Sequence, residues 1–189
     1  VENQVTGMNP HESLDPFSSA EIILRHVTDG AELGRKFRLP RRLIDFMLEH
    51  HGTLITRYQY ARAVLASNGD ESKVDIELFR YPGPRPKSRE TALLMLADNC
   101  EARVRANPPK DEKALRQMID QAFEYVQQQH QLDDTRLSIK DLHLASESFF
   151  HTLQNMYHPR IPYPEYKNPP SSINVDTLPI LEAKETDEK

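Results

Sequence analysis

Apolar residues recur along this chain at spacings of three and four, and no stretch alternates strictly between apolar and polar, so the pattern reads as helices. After an irregular lead-in from Val1 to Pro16, Ser18 and Glu21 have capping-box spacing and predict a helix to about Phe37. Ile22, His26, Leu33 and Phe37 fall on its apolar stripe. Pro40 suits the start of a second helix, which carries Leu43, Ile44, Met47 and Leu48 and stops at Gly52. A third is predicted from about Ile55 to Ala66, with Tyr58, Ala61 and Leu65 at helical spacing before Ser67-Asn68-Gly69. Pro82, Pro84 and Pro86 exclude helix from the segment between 70 and 87, which reads as a loop, ordered or flexible.

Ser88 is placed to cap a fourth helix that runs through Leu93, Leu96, Asp98 and Ala102 to about Ala106 and ends at Pro108-Pro109. A fifth spans Glu112 to about Gln128, with Leu115, Ile119, Ala122 and Val126 turned inward. The last starts at Ser138, where Asp141 completes part of a capping box and Leu137 is placed to staple onto Leu142, and it ends near Tyr157. From His158 onward six prolines and a charged terminus predict an extended wrap and then a disordered tail.

The 189 residues suffice for one sizeable core with an appended tail. A net charge of −5 lacks the basic surplus of proteins that coat nucleic acid, so no DNA or RNA polymer is expected as partner. Cys100 is the only cysteine, which rules out an internal disulfide and fits a reducing compartment. No run of about 18 apolar residues is present, and the chain opens at Val1, so it reads as a piece of something longer.

Four residues stand out as candidate metal ligands. His26 lies on the apolar stripe of its helix, where a core histidine bonded to a backbone carbonyl is the simpler reading. His50 and His51 close the second helix, where imidazoles also suit the negative end of the dipole, and both reach one cavity only if it lies beyond the helix end. Asp98 follows an apolar run on a helix expected to be buried, and a buried carboxylate needs a cation or donors. Three imidazoles and a carboxylate on three of the predicted helices form a nitrogen–oxygen set suited to manganese, iron or zinc. His130, His143 and His151 read as solvated; His11 sits in a loop and His158 opens the tail.

These stretches resemble, in order, the HD-domain part of the seven-transmembrane HD phosphohydrolases, membrane-anchored bacterial cyclic-di-AMP phosphodiesterases. The matching pieces are Val1-Glu2-Asn3-Gln4, Asn9-Pro10-His11, Ser19 to Gly30 with His26, and Glu49-His50-His51-Gly52-Thr53. They continue with Phe79-Arg80-Tyr81-Pro82-Gly83-Pro84, Leu96-Ala97-Asp98 and Tyr157-His158-Pro159-Arg160-Ile161. The resemblance covers roughly residues 1–166 and leaves 167–189 as tail.

It implies an all-α HD-domain helical bundle holding two divalent transition metals, usually iron or manganese, with His26, His50, His51 and Asp98 among the ligands. It implies cleavage of cyclic-di-AMP to pApA, a cytoplasmic domain attached to the rest of an inner-membrane polypeptide, and compatibility with an oligomer. Arg80, Arg85 and Lys87 become candidates for phosphate contacts, and Tyr58 and Tyr81 for stacking on adenine. One departure is plain: the family's isolated His and later His-Asp pair belong upstream of Val1, and this chain contains no His-Asp dipeptide. Alternatives are a non-catalytic nucleotide-binding or interaction module on the same scaffold, or hydrolysis of cyclic-di-GMP or a (p)ppGpp-like compound.

Overall fold

In the computed structural model, which describes residues 11–157, six α-helices follow one another: α1 (Pro16–Lys36), α2 (Arg41–Glu49), α3 (Arg57–Ala66), α4 (Arg89–Ala106), α5 (Glu112–Gln128) and α6 (Ile139–Tyr157). The described residues form no strand beyond one isolated antiparallel bridge between Ile55 and Arg80. The lead-in up to Pro10 and the tail from His158 lie outside the described residues.

Four of the six helices, α1, α4, α5 and α6, start where a side chain satisfies one or more of their first amides. Asp15 accepts from the backbone N–H groups of Phe17 and Ser18, at 3.0 Å each, and Pro16 follows as the first helical residue. That corrects the expected Ser18 cap: a carboxylate with a proline behind it begins the helix one turn's fraction earlier. Ser88 and Thr91 form a reciprocal capping box on α4, and Ser138 with Asp141 does the same on α6. The third helix starts at Arg57 rather than Ile55, because Ile55 is drawn into the bridge with Arg80.

The main core gathers Met95, Leu96, Cys100 and Val104 from α4, Leu115, Ile119, Ala122 and Val126 from α5, and Ala145, Phe150 and Leu153 from α6. α5 is therefore buried on the predicted face, with Phe123 added. The stripe expected on α1 is a correction. Ile22, Leu33 and Phe37 are 49%, 55% and 67% exposed, and the face turned inward carries the small residues Ser19, Ala20, Val27, Ala31 and Gly34. Small residues win because α1 packs tightly on its neighbours: a Cβ at Gly34 would meet Ile44 Cδ1 at 2.4 Å. On α3, likewise, Gln59 and Ala63 are buried while Tyr58 and Leu65 face solvent.

The segment from 70 to 87 is an ordered connection. Two short 3-10 turns, Glu71–Lys73 and Ile76–Phe79, lead into extended backbone. Phe79, Tyr81, Gly83 and Pro86 are buried, and the Tyr81 N–H donates to the Leu54 carbonyl at 2.9 Å. These contacts tie the loop to the turn after α2. No described helix is long and apolar enough to cross a membrane.

Cys100 is 1% exposed, and burial pushes its thiol up to about 12. At pH 8 that leaves about one thiolate in ten thousand. Native protein should therefore resist alkylation by iodoacetamide at pH 8 and label fully in denaturant. Rapid stoichiometric labelling of the folded chain, followed by mass spectrometry, would contradict the packing of α4.

Candidate metal centre

Three imidazoles meet where α1 passes the C-terminal end of α2. His26 projects from the exposed side of α1, not from the core face expected of it. His50 is the C-cap of α2, and the N–H of Gly52 closes the turn on the Glu49 carbonyl at 3.0 Å. His51 follows within that turn, so the two adjacent rings reach one cavity because the helix ends between them. The ring centroids of His26 lie 5.2 Å from His50 and 5.0 Å from His51.

The turn admits only glycine at position 52. Its φ is +52°, and a Cβ there would meet Gln131 Oε1 at 2.2 Å and Met95 Cε at 2.7 Å. Gln131, 3% exposed, accepts the Thr53 N–H at 2.9 Å and donates to the Thr53 hydroxyl at 2.9 Å. Residue spacing singles out neither Gln131 nor the buried Glu49, since their partners lie far along the chain.

Hydrogen bonding fixes how two of the rings are protonated. His26 Nδ1 donates to the Ile23 carbonyl, and His50 Nδ1 donates to the Met47 carbonyl at 2.8 Å. A carbonyl only accepts, so both Nδ1 atoms carry hydrogen, and Nε2 is the atom that each ring leaves for a further partner. Those two Nε2 atoms are 3.1 Å apart. Two lone pairs at that distance repel unless a proton or a cation lies between them. Metal–nitrogen bonds of about 2.0–2.1 Å place neighbouring ligands of one ion about 2.9–3.4 Å apart, so the pair fits a shared metal. Ligand atoms of His26, His50 and His51 all lie within 4.8 Å of one another.

Asp98 joins from α4, with Oδ2 3.4 Å from His51 Nδ1. It is not the fully buried carboxylate that its apolar neighbours suggested: its side chain is 41% exposed. Partial burial raises its pKa, with Glu101 adding to the effect and His26 opposing it. His51 is held neutral, lowered to about 3 by burial and then by its two neighbouring imidazoles, and burial also lowers His50. Neutral imidazoles are the ligand form.

The five candidate nucleotide contacts have different surroundings. Tyr81, 8% exposed, stacks on His51 at 4.3 Å between centroids, so one ring face is already occupied. Arg80 binds both carboxylate oxygens of Glu77 and donates to the Thr53 carbonyl at 2.8 Å. Arg85 donates to the His130 carbonyl at 2.8 Å and to Asp134 at 2.9 Å. Tyr58 is 60% exposed beside Arg62 on α3. Lys87 is exposed. A groove of about 490 Å³ runs between α1 and the loop, lined by Phe17, Leu24, Arg25, Leu78, Arg80 and Pro82. Its walls include the sequence neighbours of His26 and Tyr81.

The other described histidines take no part in the cluster. His11 is buried against the Ser19 hydroxyl at 3.1 Å, and His130 sits past the end of α5, near Asp133. His143 and His151 are exposed on α6.

Residues 6–103 match the HD domain family model, a span that takes in the whole imidazole cluster and Asp98. The chain belongs to the HD-domain family. It is 38% identical over 169 residues to the cyclic-di-AMP phosphodiesterase PgpH of Bacillus subtilis (strain 168), an alignment covering 87% of this chain and 23% of that protein. It is 34% identical over 168 residues to PgpH of Listeria monocytogenes, covering 89% and 23%. The chain thus spans under a quarter of the length of these relatives. The crystal structure of the L. monocytogenes PgpH HD domain in complex with cyclic-di-AMP superposes with a TM-score of 0.75 at 31% identity, over 82% of this chain and 71% of that one.

Replacing Gly52 by alanine adds left-handed strain of about 1–2 kcal/mol and overpacking of about 1–3 kcal/mol. The expected outcome is a melting temperature lower by roughly 5–15 °C. An unchanged melting curve would show that the turn relaxes freely.

Proposed function

We propose that this chain is the HD-type phosphohydrolase portion of a phosphodiesterase that hydrolyses cyclic-di-AMP to pApA, using two divalent transition metals, iron or manganese. The observation that carries the reading is the pair of Nε2 atoms 3.1 Å apart, with His51 and Asp98 alongside. The match to an HD domain solved with cyclic-di-AMP supports the choice of substrate. Membrane attachment of the complete polypeptide and a cytoplasmic site follow from the family resemblance and belong to the same proposal.

His26, His50, His51 and Asp98 would hold a metal. A bound divalent cation polarises the phosphodiester and makes water a better nucleophile near neutral pH. Hydrolysis then forms one bond from water oxygen to phosphorus and breaks one P–O3′ bond, leaving a linear dinucleotide. The chain's own contribution is placement. Backbone carbonyls fix the two Nδ1 hydrogens, Tyr81 backs His51, and the groove beside the cluster offers an apolar wall to a base. The chain has no His-Asp dipeptide, so the further aspartate ligand that the resemblance implies would have to be supplied by other polypeptide.

The test compares cyclic-di-AMP hydrolysis and metal content, in excess manganese, for this chain and for the protein extended upstream of Val1. The short chain should show weak or single metal occupancy and negligible turnover, and the extended protein should recover both. In the extended protein, Asp98→Ala should cut turnover at least about 100-fold, on the scale of lost ligand-shell contacts, with the helical fold retained. Full activity in the short chain, or near-wild-type turnover with metal bound in Asp98→Ala, would sink the proposal. Cyclic-di-AMP binding without metal or hydrolysis in the extended protein would favour the non-catalytic module.

A further inference from the structure

Glu49 is the one buried carboxylate among the described residues, 5% exposed at the end of α2, directly before His50. A charge so enclosed needs donors, and it has two. Its Oε2 accepts the Lys87 backbone N–H at 2.9 Å and the Thr91 hydroxyl at 2.7 Å. Lys87 and Thr91 bracket Ser88, the N-cap of α4, so the carboxylate also faces the positive end of that helix's dipole. Thr91 is completely buried. Seven residues further along α4 stands Asp98, about two turns away, roughly 10 Å along the axis and on nearly the same face.

One side chain therefore joins the segment that carries His50 and His51 to the helix that carries Asp98. The other direct side-chain link between α2 and the start of α4 is Arg42, which donates to Ser88 Oγ and Glu90 at 2.6 Å each. Arg42 and Glu90 are 45% and 63% exposed, where water screens the attraction and side-chain entropy opposes it. The enclosed link is the stronger of the two, because charge-assisted hydrogen bonds gain strength away from water.

We propose that Glu49 is a positioning residue for the imidazole–carboxylate cluster: it pins the end of α2 to the first turn of α4 and so sets the register at which Asp98 meets His51. Its consequence for metal affinity rests on the metal-site reading above, while the register itself is a property of the polypeptide. A glutamine retains one acceptor oxygen and loses the charge, so it should keep part of the effect. Thr91→Val removes the hydroxyl from the other side.

The experiment uses the 189-residue chain with Glu49→Ala, Glu49→Gln, Thr91→Val and a control, Ile119→Ala. Ile119 is fully buried in the core and makes no polar link between α2 and α4, so its variant controls for general loss of stability. Melting temperatures are measured first. Side-chain ¹H–¹⁵N spectra of the imidazoles are then recorded without metal, and manganese is titrated by calorimetry. Glu49→Ala and Thr91→Val should shift the His50 and His51 signals and leave His143 and His151 in place; Ile119→Ala should not shift them. Manganese affinity should fall about 10–100-fold in those two variants, the scale for groups that orient metal ligands, less in Glu49→Gln, and under threefold in Ile119→Ala. Unmoved His50 and His51 signals in folded Glu49→Ala would overturn the proposal whether or not manganese binds. Absence of manganese binding by the unmodified chain, with the signals shifted as expected, would count against the metal reading and uphold the register.

Discussion

The distance between two like atoms governs this structure: His26 Nε2 and His50 Nε2 stand 3.1 Å apart while each Nδ1 is committed to a carbonyl. Neither ring can relieve the crowding by exchanging tautomers without abandoning its backbone partner. The arrangement persists because the two supporting elements are held rigidly. α1 and α2 approach closely through Gly34, where no Cβ stands in the way of Ile44. Crowded acceptors fixed by packing constitute a cation site in waiting, since a cation converts their repulsion into attraction.

Packing alone does not aim the rings of His50 and His51. The chain must leave a helix and turn sharply between them and the loop, and polar groups in otherwise apolar surroundings accomplish this. Gln131 holds the amide and hydroxyl of Thr53 from the turn that follows α5. Met95 and Gln131 together leave room at position 52 only for a hydrogen atom. Tyr81 lies flat on His51 and is itself tied to Leu54 by its backbone. No buried side-chain polar atom among the described residues lacks a partner, so the network holds geometry without a desolvated orphan.

Much of this was legible in the sequence, and the exceptions have physical causes. α5 shows its buried face by apolar spacing because nearly all of that face is aliphatic. The α4 cap was readable because Ser88 bonds only three residues ahead. α1 misled because its large apolar residues face outward and its tight contacts use Ala20, Ala31 and Gly34, which carry little hydropathy. His26, expected on the core side, is exposed for the same reason. The convergence of His26, His50, His51 and Asp98 was expected from residue type and resemblance, and the structure brings them together. The contacts of Glu49 and Gln131 were not legible because their partners lie 42 and 78 residues away. Contacts that distant leave no period to detect.

The charges around the cluster constrain how an anion can be held there. Arg80 and Arg85, the guanidiniums nearest in sequence to Tyr81, are each paired with a carboxylate and a backbone carbonyl. Their partners are partly exposed, so the ion pairs are weak as stabilisers, yet the carbonyl contacts give each arginine a fixed role in shaping the loop. With those cations neutralised, and a net charge of −5 over the chain, long-range attraction for any anion is small. Recognition then depends on short-range terms. The groove between α1 and the loop has a mainly apolar wall, and its lining includes Arg25, Arg80 and Pro82, the sequence neighbours of His26 and Tyr81. Under the proposed function, placing the attraction in one small cluster would make binding depend on docking geometry, which favours a ligand whose phosphate and base are held at a fixed separation.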